Sequence, residues 1–105
     1  MFHEGSEMGS EKTKDKYERF GEICGEMVQT YIAKNADYGD SFGESFAEFG
    51  PSAGIIRIGD KYKRAKTLLT GEQKAQVPEA VADTLKDLAC YAIMLAIEIE
   101  RSGDV

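Results

Sequence analysis

The chain has 105 residues, a net charge of −6 and 42% hydrophobic residues. This length corresponds to one small domain, and the apolar content is too high for a disordered protein. No apolar run is long enough to cross a membrane, and an acidic chain lacks the basic surface that non-specific binding to duplex nucleic acid requires. A negative net charge is compatible with a nucleotide bound through a divalent cation, because the cation reverses the local field.

The N-terminal residues contain no apolar block, which excludes a signal peptide and favours a loose tail. We therefore expect a flexible tail over residues 1–13 and a single helical domain over residues 14–105.

Cys24 and Cys90 both fall on apolar helical positions. They are interpreted as buried thiols of a protein from the reducing cytoplasm, and a disulfide between them is the alternative.

Three long segments have apolar residues at steps of three and four, which is typical of amphipathic helices. The first runs from about residue 14 to residue 34, the second ends at Gly71, and the third begins at Pro78 and stops near Gly103. The predicted apolar stripes are Tyr17, Phe20, Cys24, Met27 and Tyr31; Ile55, Ile58, Tyr62, Ala65 and Leu69; and Val81, Leu85, Leu88, Ala92, Leu95 and Ile99. No β-strand pattern competes, so the predicted fold is an all-α helical bundle, completed by association of several copies because the chain is small.

A short helix is predicted between the first and second long helices, in the stretch SFGESFAEFG. Ser41 followed by Glu44 resembles a capping box at its start. Phe42, Phe46 and Phe49 are expected on its inner side.

The stretch KNADYGDSF, residues 34–42, follows the first helix. Asn35, Asp37 and Gly39 are common helix-ending and turn residues, so a plain turn explains most of the stretch. Lys34 and Tyr38 are not explained by a turn, because a lysine can contact a phosphate and a tyrosine ring can stack on a base. The alternative is that this turn forms one wall of a nucleotide pocket.

The third long helix carries Glu79, Asp83 and Asp87 at steps of four residues. They lie within about 80° of each other on the helix surface. One interpretation is a solvated acidic face. The other is a Mg²⁺ site, because oxygen-rich carboxylate sets suit this ion and like charges at this spacing otherwise destabilise a helix.

The second long helix carries Asp60, Lys63 and Arg64 on the side away from its predicted apolar stripe. Asp60 and Arg64 form an ordinary surface ion pair in one interpretation. In the other, Asp60 is a further metal ligand and the two cations contact phosphate oxygens.

Three motifs in this order resemble the phage and prophage family known as the nucleotide modification associated domain. They are KNADYG, then DKYKR within GIIRIGDKYKRAKTL, then DTLKDLACYA, and the resemblance covers roughly residues 30–97. The resemblance implies a relation to the all-α, MazG-like nucleoside triphosphate pyrophosphohydrolases. These are dimeric or tetrameric helical bundles that use Mg²⁺ held by acidic residues on two helices. Glu79 and Asp83 approximate one of their two acidic motifs, and the other is missing, with Glu44 and Glu48 as the nearby substitutes.

Three functions follow as hypotheses. In the first, the protein is a nucleoside triphosphate pyrophosphohydrolase, and Asp60, Glu79, Asp83 and Asp87 hold Mg²⁺. Lys34, Lys63 and Arg64 then stabilise the developing charge, and Asn35, Asp37 and Tyr38 contact the substrate. In the second, a homodimer or homotetramer binds a nucleotide or a nucleotide-derived signal without turnover. In the third, the chain is a helical partner-binding module whose acidic faces are solvated.

Overall fold

The computed structural model describes residues 10–71 and 78–103, and these residues form four helices with no strand. The helices are α1 (Ser10–Tyr38), α2 (Ser41–Phe49), α3 (Ser52–Thr70) and α4 (Pro78–Ser102). The predicted all-α fold of three long helices and one short helix is confirmed. Most of the predicted tail, residues 1–9, lies outside the described residues. None of the described helices combines the length and the apolar character that crossing a bilayer requires.

Helix α1 is longer than predicted at both ends. It starts at Ser10 rather than near residue 14, and it continues through residues 34–38, which were predicted as a turn. Gly39 has φ +70° and its N–H donates to the carbonyl oxygen of Asn35 at 2.9 Å, so this glycine ends the helix. The prediction of a turn was wrong because Asn35 and Asp37 have only a moderately lower helix propensity, which does not stop a helix on its own.

The N-cap of helix α2 lies one residue before the predicted cap. The Asp40 side chain accepts the N–H of Gly43 at 3.1 Å, so Asp40 rather than Ser41 is the N-cap. Phe42 and Phe46 are buried as predicted, whereas Phe49 is the last residue of α2 and is exposed. The prediction of an inward-facing Phe49 was therefore wrong.

Helices α3 and α4 are antiparallel and make the most extensive packing in the chain. They approach closely at Gly54, where an added Cβ would lie 2.8 Å from Leu95 Cδ1. Farther along, Ala65 and Thr84 are buried, and the Thr84 hydroxyl donates to the carbonyl oxygen of Ala80 at 2.8 Å. Small side chains at the contact let two helix backbones approach closely.

The apolar stripes predicted for the long helices are only partly buried. The face of α3 that contacts α4 contains Gly54 and Ala65, and it is rotated from the predicted stripe, so that Ile55, Tyr62 and Leu69 are exposed. Leu85 of α4 and Tyr17 and Phe20 of α1 are exposed as well. Hydrophobic periodicity included Ala65 but could not give the rest of the contact face, because the buried residues Gly54 and Thr84 do not contribute to an apolar stripe.

The buried core consists of Phe42, Phe46 and Leu95, where α2 packs across the α3–α4 pair. Partly buried residues around them are Ile58, Tyr91, Met94 and Ile99. This cluster is small among the described residues, so each of its three side chains contributes a large share of the stability of the fold.

Phe46→Ala is expected to destabilise the protein by about 3–5 kcal/mol, because it removes a buried ring and leaves a cavity. The matched control is Phe49→Ala in the same helix, since Phe46 is 6% exposed and Phe49 is 64% exposed. The control should change the free energy of unfolding by no more than about 0.5 kcal/mol. Urea unfolding of both variants measures the difference, and equal losses would contradict the described core.

Candidate functional site

A cavity of about 570 Å³ lies between the C-terminal part of α1, the start of α2, and one side of the α3–α4 pair. This volume is within the usual range for pockets that bind small molecules. The cavity exists because α1 contacts α4 only along part of its length, whereas α3 and α4 pack closely.

Among the residues that the structure describes, the walls of the cavity carry four cations and three carboxylates. The four cations are Lys34 of α1, Arg57 and Lys61 of α3, and Lys86 of α4, and the three carboxylates are Glu26 of α1 and Asp83 and Asp87 of α4. The chain as a whole has a net charge of −6, so this local excess of positive charge runs against its composition. A cation-rich cavity in an acidic protein is suited to an anionic ligand.

Two ion pairs cross the cavity. Lys61 Nζ lies 3.1 Å from Asp87 Oδ2, and Lys86 Nζ lies 3.9 Å from Glu26 Oε1. These groups are partly exposed to solvent, so the pairs contribute little to stability and serve mainly to position their side chains.

Lys34, Arg57 and Asp83 make no ion pair with any residue that the structure describes. They are the charged groups of the cavity that can contact a ligand without breaking an existing pair.

Arg57 is held in place by an aromatic ring. Its guanidinium lies 5.7 Å from the centroid of the Tyr91 ring, and Arg57 Nη1 donates to Tyr91 Oη at 3.5 Å. Tyr91 in turn stands 6.2 Å from the buried ring of Phe42, measured between centroids. The core therefore fixes Tyr91, and Tyr91 positions a cation at the cavity wall.

Cys90 lines the cavity and is half-buried. Burial raises the pKa of the Cys90 thiol, Lys34 lowers it and Asp87 raises it further. The thiol is therefore protonated at neutral pH, which disfavours a role as a nucleophile. Cys24 and Cys90 are both free thiols, as the sequence interpretation favoured, although both are half-buried rather than buried.

The structure brings only some of the predicted site residues together. Lys34, Asn35, Asp83 and Asp87 line the cavity, although they come from two helices rather than from a turn and a helix. Asp37, Asp60, Lys63 and Arg64 are exposed and do not line it. Tyr38 and Glu79 fall within α1 and α4, but their side chains lie outside the described part of the chain.

The predicted grouping of Asp60 with Asp83 and Asp87 is absent from the described residues for a simple geometric reason. Lys61, the next residue along α3, faces Asp87 across the helix pair. Asp60 is therefore turned about 100° away from that contact. The part of the chain that the structure describes contains no group of three or more acidic, histidine or cysteine side chains able to hold a metal ion.

Sequence reasoning missed Glu26, Arg57, Lys61, Lys86 and Tyr91 as site residues. The signal that could have found Arg57 and Lys61 is their four-residue spacing together with the small residue Gly54 on the adjoining face of α3. Glu26 and Lys86 could not be found in this way, because they meet only through the packing of α1 on α4.

Comparison with protein families gives a single finding. The family model described as Nucleotide modification associated domain 1 matches residues 34–99, which is well over half of the chain. Searches among curated proteins and among solved structures found no match. The matched region begins at Lys34 and includes α2, α3 and most of α4, so it contains most of the cavity wall.

The rate at which Cys90 is alkylated should depend on the charges of Asp87 and Lys34. Asp87→Asn is expected to speed the reaction near pH 8 and Lys34→Ala to slow it, because Asp87 raises the pKa of the thiol and Lys34 lowers it. Peptide mass spectrometry after timed iodoacetamide treatment separates Cys90 from Cys24. Asp60→Asn, outside the cavity, is the control and should leave the rate unchanged. Equal rates in all four proteins would contradict the described surroundings of Cys90.

Proposed function

Because this chain belongs to the Nucleotide modification associated domain 1 family, we propose that its cavity binds a nucleotide. The family name associates such domains with nucleotide modification, and the cavity supplies groups suited to the phosphates and to the base. The supporting observation is that four cationic side chains from three helices line one cavity of an acidic protein, and that two of them have no ion-pair partner among the described residues.

The phosphates are assigned to Lys34 and Arg57, which both line the cavity. Neither cation has a carboxylate partner among the described residues, so a phosphate would not have to displace one. Arg57 can offer two parallel N–H donors to phosphate oxygens, and its contact with Tyr91 limits the side-chain entropy lost on binding.

The base is assigned to the aromatic and amide groups of the same cavity. Tyr31 is a half-buried lining residue, and its ring can stack on a base. Asn35 also lines the cavity, and its amide can both donate to and accept from the edge of a base or a sugar hydroxyl.

Mg²⁺ fits this proposal as a companion of the nucleotide rather than as a resident ion. Asp83 and Asp87 are two carboxylates in the cavity, and Mg²⁺ is commonly held by one or two carboxylates together with substrate phosphates. When bound, the ion would neutralise phosphate charge and polarise a phosphoryl oxygen. Asp83 is the better placed of the two, because Asp87 is already paired with Lys61.

Pyrophosphohydrolysis of a nucleoside triphosphate is the second candidate function. The observation that favours it is Asp83, a carboxylate without an ion-pair partner among the described residues and in the same cavity as Lys34 and Arg57. Asp83 would hold Mg²⁺, which would activate an attacking water, and the two cations would stabilise charge that develops on the phosphates. The relation to MazG-like enzymes, which suggested this reaction, stays a prediction. Binding without turnover, by a monomer or an oligomer, is the simpler proposal.

Arg57→Gln should weaken nucleotide binding about tenfold or more, because a hydrogen bond to a charged group contributes about 1.5–3 kcal/mol. Arg64→Gln is the matched control, since Arg64 lies on the same helix but is exposed and outside the cavity. Isothermal titration with a panel of nucleoside triphosphates, with and without Mg²⁺, measures the affinities.

Two outcomes would contradict the proposal. Equal weakening by Arg57→Gln and Arg64→Gln would place the phosphates outside the cavity, and no binding by any nucleotide would remove the proposed function. Turnover is a separate question, answered by assaying pyrophosphate release by the wild type and by Asp83→Asn. Binding retained in both proteins, with release lost in the variant, would support the hydrolase.

A further inference from the structure

The face of the α3–α4 pair opposite the cavity is apolar and exposed. It carries Ile55, Tyr62 and Leu69 of α3, which are 59%, 58% and 56% exposed, and Leu85 of α4, which is 47% exposed. Large apolar side chains at this exposure are normal when they are scattered singly, but a contiguous apolar patch indicates an interaction surface.

Helical geometry places these residues on one common side. Consider the angular position of each side chain around the α3 axis, with the direction of the buried residues Gly54 and Ala65 as the reference. The cavity residues Arg57 and Lys61 lie on one side of this reference direction. On the other side, at about 50–90° from the reference direction, lie Ile55, Tyr62 and Leu69.

The side chains of α4 divide in the same way when the direction of the buried residues Thr84 and Leu95 is the reference. Asp87 and Tyr91 lie on the cavity side of this direction, whereas Leu85 and Ala92 lie about 70–90° from it on the opposite side. Because the helices are antiparallel, the two apolar sets lie on the same side of the pair. We call this surface, formed by Ile55, Tyr62, Leu69, Leu85 and Ala92, the outer face.

The charge pattern indicates which partner fits. The side of α3 that bears the outer face comprises positions 55, 59, 62, 66 and 69, and that of α4 comprises positions 81, 85, 89, 92, 96 and 99. Lys66 is the one charged residue among them, in a chain of which 30% is charged. A surface this poor in charge has little to offer a charged partner, and it meets an identical surface without like-charge repulsion.

We propose that the outer face packs against the outer face of a second copy of this chain. The two α3–α4 pairs then form a four-helix bundle, and the apolar residues that the single chain exposes become its core. The cavities lie on the opposite sides of the bundle and stay open to ligand. This proposal is independent of what the cavity binds.

Two adjacent isoleucines of α3 provide a matched test. Ile55 is part of the outer face, whereas Ile56 has a similar exposure of 62% and points away from it. Sedimentation equilibrium of the full chain should give a dimer for the wild type and for Ile56→Glu. In Ile55→Glu the dissociation constant should rise at least about tenfold, because each chain would bury an unpaired carboxylate. The thermal midpoint of the wild type should also rise with protein concentration.

Far-UV circular dichroism of each variant checks that the helices form. If Ile55→Glu fails to fold, Leu69→Gln at the far end of the same face takes its place and should also weaken the dimer. Ile32→Glu, an exposed apolar position of α1, should leave the dimer intact. A wild type that is monomeric at every concentration would overturn the proposal. So would dissociation by Ile32→Glu or Ile56→Glu with no effect of the outer-face substitutions.

Discussion

The close approach of α3 and α4 at Gly54 is the constraint on which the rest of the structure depends. The absence of a side chain at this position lets Leu95 of α4 lie against the α3 backbone, and Leu95 joins Phe42 and Phe46 in the core. The same approach fixes the rotation of both helices about their axes. That rotation decides which charged residues meet at the cavity, which apolar residues are left on the outer face, and where α2 can pack.

Much of the fold could be predicted from the sequence, whereas the contact face of each helix could not. Apolar periodicity and the glycines after the helices gave the all-α class and the number of helices. The C-terminal end of α1 was misplaced because Asn35 and Asp37 are as compatible with a last helical turn as with a loop. The predicted stripe of α3 included the buried Ala65, but its centre was misplaced. Gly54 has no side chain to mark the contact face, and the large residues Ile55, Tyr62 and Leu69 dominated the pattern.

For the candidate site, individual residues could be predicted from the sequence, but their common location could not. Lys34 and Asn35 could be named from the polar stretch KNADYGDSF, and Asp83 and Asp87 from their four-residue spacing on one helix. Their joint location on one cavity depends on how α1 packs against α4, which no spacing within one helix encodes. Asp60 was predicted as a site residue but is exposed and lies outside the cavity, whereas Lys61, the next residue of α3, lines it. One residue is 100° of rotation, which is more than the width of most sites on a helix.

The limited packing of α1 has a consequence for its local stability. Within the described residues, the ion pair between Glu26 and Lys86 is the charged link from α1 to α4, and it is partly open to solvent. An element with so few packed contacts can separate from its neighbours at a lower free energy than global unfolding requires. A ligand that bridges Lys34 to Arg57 would add the contact that the fold itself lacks. Ligand binding in the cavity would then slow the amide hydrogen exchange of α1 much more than that of α3 or α4.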